Sequence, residues 1–263
     1  MKVFAFMAEL VLTESLLPGL TLVTLNRPER RNALSIALLD TLCDLVGRLA
    51  TDPSNRVIIL HGAGPVFSAG LDLKEASDPS LVQRSAACVE RALNLMRETP
   101  LVTIAAVRGG AFAGGAGLMA ACDMAVGSTD VTIGFPEARR GLLPALICGV
   151  LKSKVREGDL RELFLVGSPI GAEKAEQIGL FQRIVASEQV LAEATALAVS
   201  VLQGGPETIR QTKLLLNHTF RSVDDHSSLI DVHLQARYSE EAQEGLAAFL
   251  EKRTPYWTSG IQN

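Results

Sequence analysis

The sequence predicts an α/β fold in which a parallel sheet with helices against it is followed by a mainly helical region. In the first half of the 263-residue chain, short apolar segments rich in valine and isoleucine alternate with segments of helical periodicity. In the second half, helical periodicity dominates. This alternation is typical of parallel sheets, because a helix must carry the chain back before the next parallel strand can begin.

Turn and capping residues locate the individual elements. Pro18 and Gly19 separate two strand-like segments and predict a hairpin, and Ser35 is a good helix N-cap. The predicted strands are 9–13, 20–25, 57–60, 101–107, 124–126 and 131–134. The predicted helices are 35–50, about 79–97, one ending near residue 123, 160–166, 172–179, 188–203, 206–217 and 239–250.

Composition narrows the function classes. A hydrophobic content of 48% with 21% charged residues indicates a soluble chain with a large core. The net charge of −4 argues against general binding to nucleic acid or to anionic membranes. The N-terminal apolar run is too short for a membrane span and lacks a signal-peptide cleavage site, so we expect a cytoplasmic protein. The four cysteines form no CxxC pair, which predicts reduced thiols, mostly buried.

Glycine-rich turns follow two of the buried-strand segments. One is HGAGPVFSAGLDLKE at 61–75, and the other is the stretch GGAFAGGAG at 109–117, which leads into an apolar helix. Turns of this kind expose main-chain N–H groups, and a helix N-terminus adds partial positive charge. The spacing fits neither a dinucleotide-binding GxGxxG nor a P-loop. Two such turns can instead form an oxyanion hole for a thioester carbonyl.

Three motifs occur together in this chain at a characteristic spacing. They are FSAGLDLKE at 67–75, GGAFAGGAGLMAACDMAV at 109–126 and FPEARRGLLPA at 135–145. On these motifs the chain resembles the crotonase (enoyl-CoA hydratase/isomerase) superfamily, from about residue 8 to residue 257. The resemblance implies a spiral of repeated ββα units over residues 1–200, which holds the active site. It also implies a C-terminal helical region, residues 201–263, that builds a homotrimer or hexamer.

The resemblance assigns the catalytic groups residue by residue. Main-chain N–H groups of Leu71 and Gly114 are expected to hold the thioester oxygen while an enolate forms. Glu137, which follows Pro136 in the third motif, is expected to be the acid/base. Two-carboxylate hydratases of the superfamily have a further Glu at the position of Gly117, and here that carboxylate is absent. Asp72 and Glu75 lie near the first turn and could supply the missing acid, but solvated loop charges explain them more simply. Asp123 is interpreted as a capping or structural carboxylate.

A single acid/base leaves more than one reaction open. The second and third motifs resemble a single-glutamate bacterial subgroup usually assigned to hydration of branched or polyketide-type enoyl thioesters, and this resemblance favours hydration of 2-enoyl thioesters. Double-bond isomerisation between the 3- and 2-enoyl forms is the alternative, because one carboxylate suffices to move a proton from C2 to C4. A non-catalytic acyl-CoA-binding homologue is a second alternative. No permanently bound cofactor is expected, since coenzyme A, or an acyl carrier protein, arrives as part of the substrate.

The phosphates of coenzyme A require cations near the matched motifs. Candidates for binding the coenzyme, by charge or through main-chain atoms, are Arg27, Arg30, Ala33, Ala69, Gly70, Asp72, Leu73 and Lys74. Arg139 and Arg140 follow Glu137; they can bind a substrate carboxylate, stabilise the Glu137 anion or form a subunit contact, the last being favoured. The four histidines show no metal-ligand spacing, so no metal site is expected.

Overall fold

The computed structural model describes residues 9–220, 230–231, 234 and 237–255, and for 218–220 and 241 the backbone alone. The strands are β1 (Val11–Leu17), β2 (Leu20–Leu25), β3 (Val57–Gly62), β4 (Val102–Val107), β5 (Gly110–Phe112), β6 (Met124–Ser128), β7 (Thr132–Gly134), β8 (Ile170–Gly171) and β9 (Arg183–Val185). The helices are α1 (Ile36–Thr51), α2 (Leu73–Ser77), α3 (Val82–Glu98), α4 (Gly114–Ala121), α5 (Ala145–Leu151), α6 (Glu157–Arg161), α7 (Ala172–Gln177), α8 (Val190–Leu202), α9 (Pro206–Phe220) and α10 (Glu240–Glu251). Short 3-10 turns occur at Pro28–Arg30, Ala138–Arg140 and Ser187–Gln189, and Glu162–Val166 is a π-helical turn.

The main sheet has the strand order β1-β2-β3-β4-β6-β9. All its neighbouring strands are parallel except β1, which pairs antiparallel with β2. The predicted parallel sheet and the Pro18-Gly19 hairpin are therefore confirmed. The first strand is longer than predicted and lies further along the chain, because its pairing with β2 continues to the Leu17–Leu20 pair beside the turn.

Alternate residues of the central strands pack into two different hydrophobic cores, one on each face of the sheet. In β3, Ile58 and Leu60 belong to the larger core, which also contains buried residues of α1, α3 and α4. Val57 and Ile59 belong to a second core on the other face, which α8 covers. This is the period-two alternation of a strand between two layers, and it explains why these segments are apolar throughout.

Capping explains where α1 begins. The Ser35 side chain accepts a hydrogen bond from the Leu38 amide, as predicted. The carboxylate of Glu75 accepts another from the Ile36 amide at 2.7 Å. Two of the amides that the first turn of a helix leaves unpaired are thus satisfied. Glu75 is therefore a structural residue, and the interpretation of it as a solvated loop charge was wrong.

A second, three-stranded sheet has the order β5-β7-β8. Strand β5 follows directly after β4 along the chain, and the Phe112 amide donates to the Ser68 carbonyl at 3.0 Å. An isolated bridge between Ser68 and Ala111 adds to this contact. The sequence did not predict β5, yet it is the strand that carries the second glycine turn to the first.

Candidate active site

The two glycine turns open into one cavity of about 530 Å³. Its wall contains Leu71 from the first turn and Gly114 from the start of α4. Glu137, from the loop after β7, lies on the same wall. The structure therefore brings together the three residues that were predicted to be catalytic, although they lie far apart in the sequence.

The turns approach each other through Gly70. This residue has φ +88°, a conformation that glycine adopts without strain. A Cβ atom on Gly70 would lie 2.7 Å from the Phe112 carbonyl oxygen and 3.2 Å from the Ala113 Cβ. Only glycine fits between the turns at this separation. Gly70 itself shapes the cavity rather than lining it.

Ala113 orients the amide that follows it. Its dihedral angles are φ 48° and ψ −123°, which cost an L-residue of order 1–3 kcal/mol. The Ala113 amide donates to the Gly134 carbonyl at 2.8 Å, and its carbonyl accepts from the Gly117 amide at 2.9 Å. These bonds fix the strained residue on both sides and leave the Gly114 amide at the N-terminus of α4.

Within the described ranges, neither the Leu71 amide nor the Gly114 amide donates a hydrogen bond to the protein. The neighbouring groups are bonded: the Gly70 carbonyl accepts from the Leu34 amide at 2.8 Å, and the Asp72 amide donates to the Leu34 carbonyl at 3.2 Å. Unpaired amides at a cavity wall can accept an anionic ligand atom.

Glu137 is held in an apolar part of the wall. Loss of solvation raises the pKa of its carboxyl to about 7, although its own main-chain amide and the Arg140 charge act to lower it. The Glu137 Oε2 atom is buried and has no hydrogen-bond partner among the described residues. A carboxyl with a pKa near neutrality can take up and release a proton at physiological pH.

The position of the missing second carboxylate is filled by an apolar side chain. A Cβ atom on Gly117 would collide with Cγ2 of Ile147 on α5 and would lie 3.6 Å from Leu93. Ile147 is almost completely buried and lines the cavity. The cavity wall is therefore apolar beside Gly117, the position at which the resemblance places the other acid of a two-carboxylate hydratase.

The predicted coenzyme-binding residues surround another part of the same cavity. Arg27 donates to the Asp72 carboxylate from two nitrogens, each at 3.1 Å, and to the Ala33 carbonyl at 2.7 Å. This ion pair is largely buried, with 17% and 15% of the two side chains exposed. Arg27 and Asp72 thus hold the loops together, and the interpretation of Asp72 as a solvated charge was wrong.

Arg30, Arg31 and Lys74 line the cavity as exposed cations, and in the described part of the chain they have no ion-pair partner. Ala33, Ala69 and Leu73 lie beside them on the lining. Apart from Gly70, every residue predicted to bind the coenzyme lines the cavity. The free positive charge there comes from these three residues rather than from Arg27.

Comparison with known proteins decides the family. The family model described as enoyl-CoA hydratase/isomerase matches residues 17–260 of this chain. The chain belongs to this family. The predicted resemblance to the crotonase superfamily is therefore confirmed, and with it the α/β fold.

Individual relatives match over nearly the full length of this family member. A mevalonyl-coenzyme A hydratase of Aspergillus fumigatus is 36% identical over 250 residues, which cover 91% of this chain and 92% of the relative. The enoyl-CoA hydratase domain-containing protein 3 of Danio rerio is 32% identical, with 98% and 91% covered. The crystal structure of an enoyl-CoA hydratase from Mycobacterium avium is similar with a TM-score of 0.86 at 32% identity, covering 96% of this chain and 100% of that one.

Family membership supports an enzyme, a lyase or an isomerase, that acts on acyl-CoA thioesters. Among the described residues no helix is long and apolar enough to cross a bilayer. The same part of the chain contains no cluster of three or more potential metal ligands. His226, His233 and Trp257 lie outside the described residues, as does the side chain of His218.

Sequence reasoning singled out Arg140 but missed the part of the cavity wall that comes from the C-terminal region of this family member. Arg140 lies over the ring of Phe249 from α10, with 4.3 Å from the guanidinium carbon to the ring centre. Arg237, which precedes α10, also lines the cavity and is 5% exposed. No motif marks Arg237, and its place in the site depends on how the C-terminal region folds back. Arg139 instead donates to the Val166 carbonyl and to Ser168, away from the cavity.

Other polar residues have structural roles. Asp123 accepts hydrogen bonds from the amide and hydroxyl of Thr103 and from Lys213 Nζ, the last at 2.7 Å. It does not line the cavity, in agreement with the structural role predicted for it. All four cysteines are free, and only Cys148 is not fully buried. Burial raises the pKa of Cys122 to about 12, so this thiol is inert at neutral pH.

Proposed function

We propose that this chain is an enoyl-CoA hydratase that adds water to 2-enoyl thioesters with Glu137 as its single acid/base. The observation that carries the proposal is the Glu137 carboxyl, which has a pKa of about 7 on the same cavity wall as two unpaired main-chain amides. Hydratase names among relatives at 32–36% identity support the choice of reaction.

The amides of Leu71 and Gly114 would stabilise the charge that develops on the thioester oxygen. Gly70 brings the two turns into contact, and the strained Ala113 fixes the peptide that carries the second amide. Main-chain donors are rigid and need no reorganisation as charge develops. Removal of one such donor typically costs on the order of 10²–10³ in rate.

A single carboxylate suffices for the proton transfers of hydration. Ionised Glu137 takes a proton from water as the water oxygen bonds to C3. The electrons of the C2=C3 bond move toward the thioester oxygen and form an enolate, which the two amides stabilise. The neutral Glu137 carboxyl then gives its proton to C2. The carboxylate is regenerated, and the product is the 3-hydroxyacyl thioester.

Isomerisation is a second candidate, and Gly117 favours it. Because Ile147 fills the space beside Gly117, the described cavity wall lacks the second carboxylate that would activate water separately. Glu137 would then take a proton from C2 of a 3-enoyl thioester and return it to C4. Both reactions pass through an enolate and begin with ionised Glu137.

We also propose that the chain assembles through its C-terminal region, residues 201–263, as a trimer or hexamer around the core of residues 1–200. Leu214 and Leu216 on α9 are 39% and 51% exposed, which supports a further contact on this helix. Light scattering of the purified protein tests the assembly, and a monomer at micromolar concentration would contradict it. The cytoplasmic location stays a prediction.

The experiment supplies crotonyl-CoA and a 3-enoyl-CoA separately in deuterated water. Loss of the enoyl absorbance of crotonyl-CoA with deuterium at C2 is the expected result, and appearance of that absorbance from the 3-enoyl thioester would favour isomerisation. Glu137→Gln should lower turnover at least about 10²-fold. Glu188→Gln, at an exposed position away from the cavity, is the matched control. Absence of both reactions and of proton exchange would contradict the proposal and leave the non-catalytic acyl-CoA binder.

A further inference from the structure

Arg237 is a buried cation for which the described part of the chain offers no counter-charge. Its side chain lines the cavity although the residue is only 5% exposed. The Nη2 atom is buried and has no hydrogen-bond partner among the described residues. In the same part of the chain, no carboxylate forms an ion pair with Arg237. A guanidinium remains protonated even when buried, so its desolvation is a lasting cost unless an anion binds to it.

Arg140 is a second partly buried guanidinium that lines the same cavity. It contacts the ring of Phe249, and its main chain packs against Gly245 of α10. Burial lowers the pKa of both Arg140 and Arg237, which means that neither side chain is fully compensated by its surroundings. Since Asp72 is paired with Arg27, Glu137 is the carboxyl of the cavity lining that remains to balance these two guanidinium charges.

Glu137 does not serve as the counter-charge of Arg237. Arg140 is the neighbouring charge that acts on the Glu137 carboxyl, and Arg237 is not among the groups that shift it. Near neutral pH, moreover, Glu137 is only partly ionised. The anion that would pair with Arg237 is therefore a group that the protein itself does not supply within the described residues.

The phosphates of coenzyme A are not the expected counter-charge of Arg237 either. Exposed Arg30, Arg31 and Lys74 already offer three cations at the part of the cavity formed by the first glycine turn and by the loop after β2. Arg140 is three residues from the proposed acid/base and acts on its charge. A ligand group close to Arg140 is thus close to the reacting carbons, whereas the long pantetheine arm separates those carbons from the phosphates.

We infer that Arg237, with Arg140, binds a carboxylate at the far end of the acyl group, so that the preferred substrates are thioesters of dicarboxylic acids. This inference rests on the proposed function, because it takes the acyl chain to lie beside Glu137. A guanidinium binds a carboxylate with two parallel hydrogen bonds, and the buried setting strengthens them. Pairing would satisfy the orphaned Nη2 atom.

Binding of saturated thioesters tests the inference without requiring turnover. Glutaryl-CoA and pentanoyl-CoA have the same chain length and differ in the terminal carboxylate. By isothermal titration, the full-length protein should bind glutaryl-CoA at least about tenfold more tightly. Arg237→Met should reduce this ratio at least about tenfold. Arg139→Met, which removes an exposed arginine outside the cavity, should leave the ratio unchanged.

Each outcome decides between the alternatives. Equal affinities for the two thioesters in the wild type would overturn the inference, as would an undiminished ratio in folded Arg237→Met. If that variant does not fold, the wild-type comparison of glutaryl-CoA with its methyl ester decides, and equal binding of acid and ester would count against the inference. A preference for glutaryl-CoA without any hydration of glutaconyl-CoA would sustain the carboxylate site and count against the proposed reaction.

Discussion

Gly117 lies directly against Ile147, so that a single added methyl group would meet the isoleucine side chain. The contact joins α4 to α5 on the wall of the cavity. It explains in steric terms why this chain carries no carboxylate at the position of the second acid of its two-carboxylate relatives. In the proposed mechanism Glu137 is therefore the single acid/base, and the predicted behaviour of the site follows from its surroundings.

Gly117→Ala should destabilise the protein by about 1–3 kcal/mol, because it overpacks the contact with Ile147. Ile147→Ala alone should also destabilise it, by about 2–5 kcal/mol, since it leaves a cavity. The double variant should be more stable than the sum of the two effects predicts, because Ile147→Ala makes room for the added methyl group, which in turn fills part of the cavity. Denaturant unfolding measures all three variants, and strict additivity would show that the two positions do not collide.

The rate should follow the ionisation of Glu137. Burial raises the pKa of this carboxyl to about 7, and both candidate reactions begin with its anion. The kcat/KM value should therefore fall about tenfold per pH unit well below pH 7 and level off above it. Stopped-flow or steady-state assays across pH 5 to 9 give the profile. A plateau that extends down to pH 5 would show that a group with an ordinary carboxyl pKa controls the rate.

The free energy of unfolding should fall as the pH rises, whereas kcat/KM should increase. The carboxyl of Glu137 titrates at 4.5 when unperturbed and at about 7 in the folded chain, so between these values the folded state holds the extra proton. Its contribution therefore weakens as the pH rises. Glu137→Gln should stabilise the protein by about 1 kcal/mol at pH 5.5 and about 3 kcal/mol at pH 8. Thermal unfolding at both values measures the difference, and Glu188→Gln should show no such trend.

Coenzyme A affinity should weaken with added salt, because its phosphates meet exposed cations. Arg30→Gln, Arg31→Gln and Lys74→Gln should each weaken binding and flatten the salt dependence. Arg48→Gln, on an exposed face of α1 away from the cavity, is the control and should do neither. Titration calorimetry between low and high ionic strength measures the slope. Binding that is independent of salt would remove these cations from the coenzyme site.

Because of its positive φ, position 113 should accept glycine with little change in stability, whereas a β-branched residue there should destabilise the protein. Ala113→Gly removes the strain at φ 48° and costs chain entropy, so stability should change by less than about 1 kcal/mol. Ala113→Val should destabilise the protein by about 2–3 kcal/mol and lower kcat/KM, because the branched side chain adds strain and approaches Gly70. Ala37→Val on the exposed face of α1 is the control. Wild-type kinetics in Ala113→Val would show that this peptide does not orient a catalytic amide.

Several elements of the fold are absent from the sequence-based prediction for physical reasons. Strand β5 has three residues and begins with glycine, so it shows no hydrophobic alternation. Helix α5 has seven residues after Pro144, which is too short for a periodic signal. Strands β8 and β9 have only two and three residues. These elements form because of partners elsewhere in the fold, and their own segments do not encode them strongly.

The amino-acid sequence alone determined the hairpin, the buried parallel strands, both glycine turns and Glu137, because strand period, turn chemistry and motif spacing are local properties. Tertiary structure decided which charges remain available. Asp72 neutralises Arg27 across 45 residues, Glu75 caps α1, Ile147 occupies the side of the missing acid, and Arg237 reaches the cavity from the C-terminal region. The physical reason is that charge compensation and desolvation depend on neighbours in space, and only the folded chain brings those neighbours together.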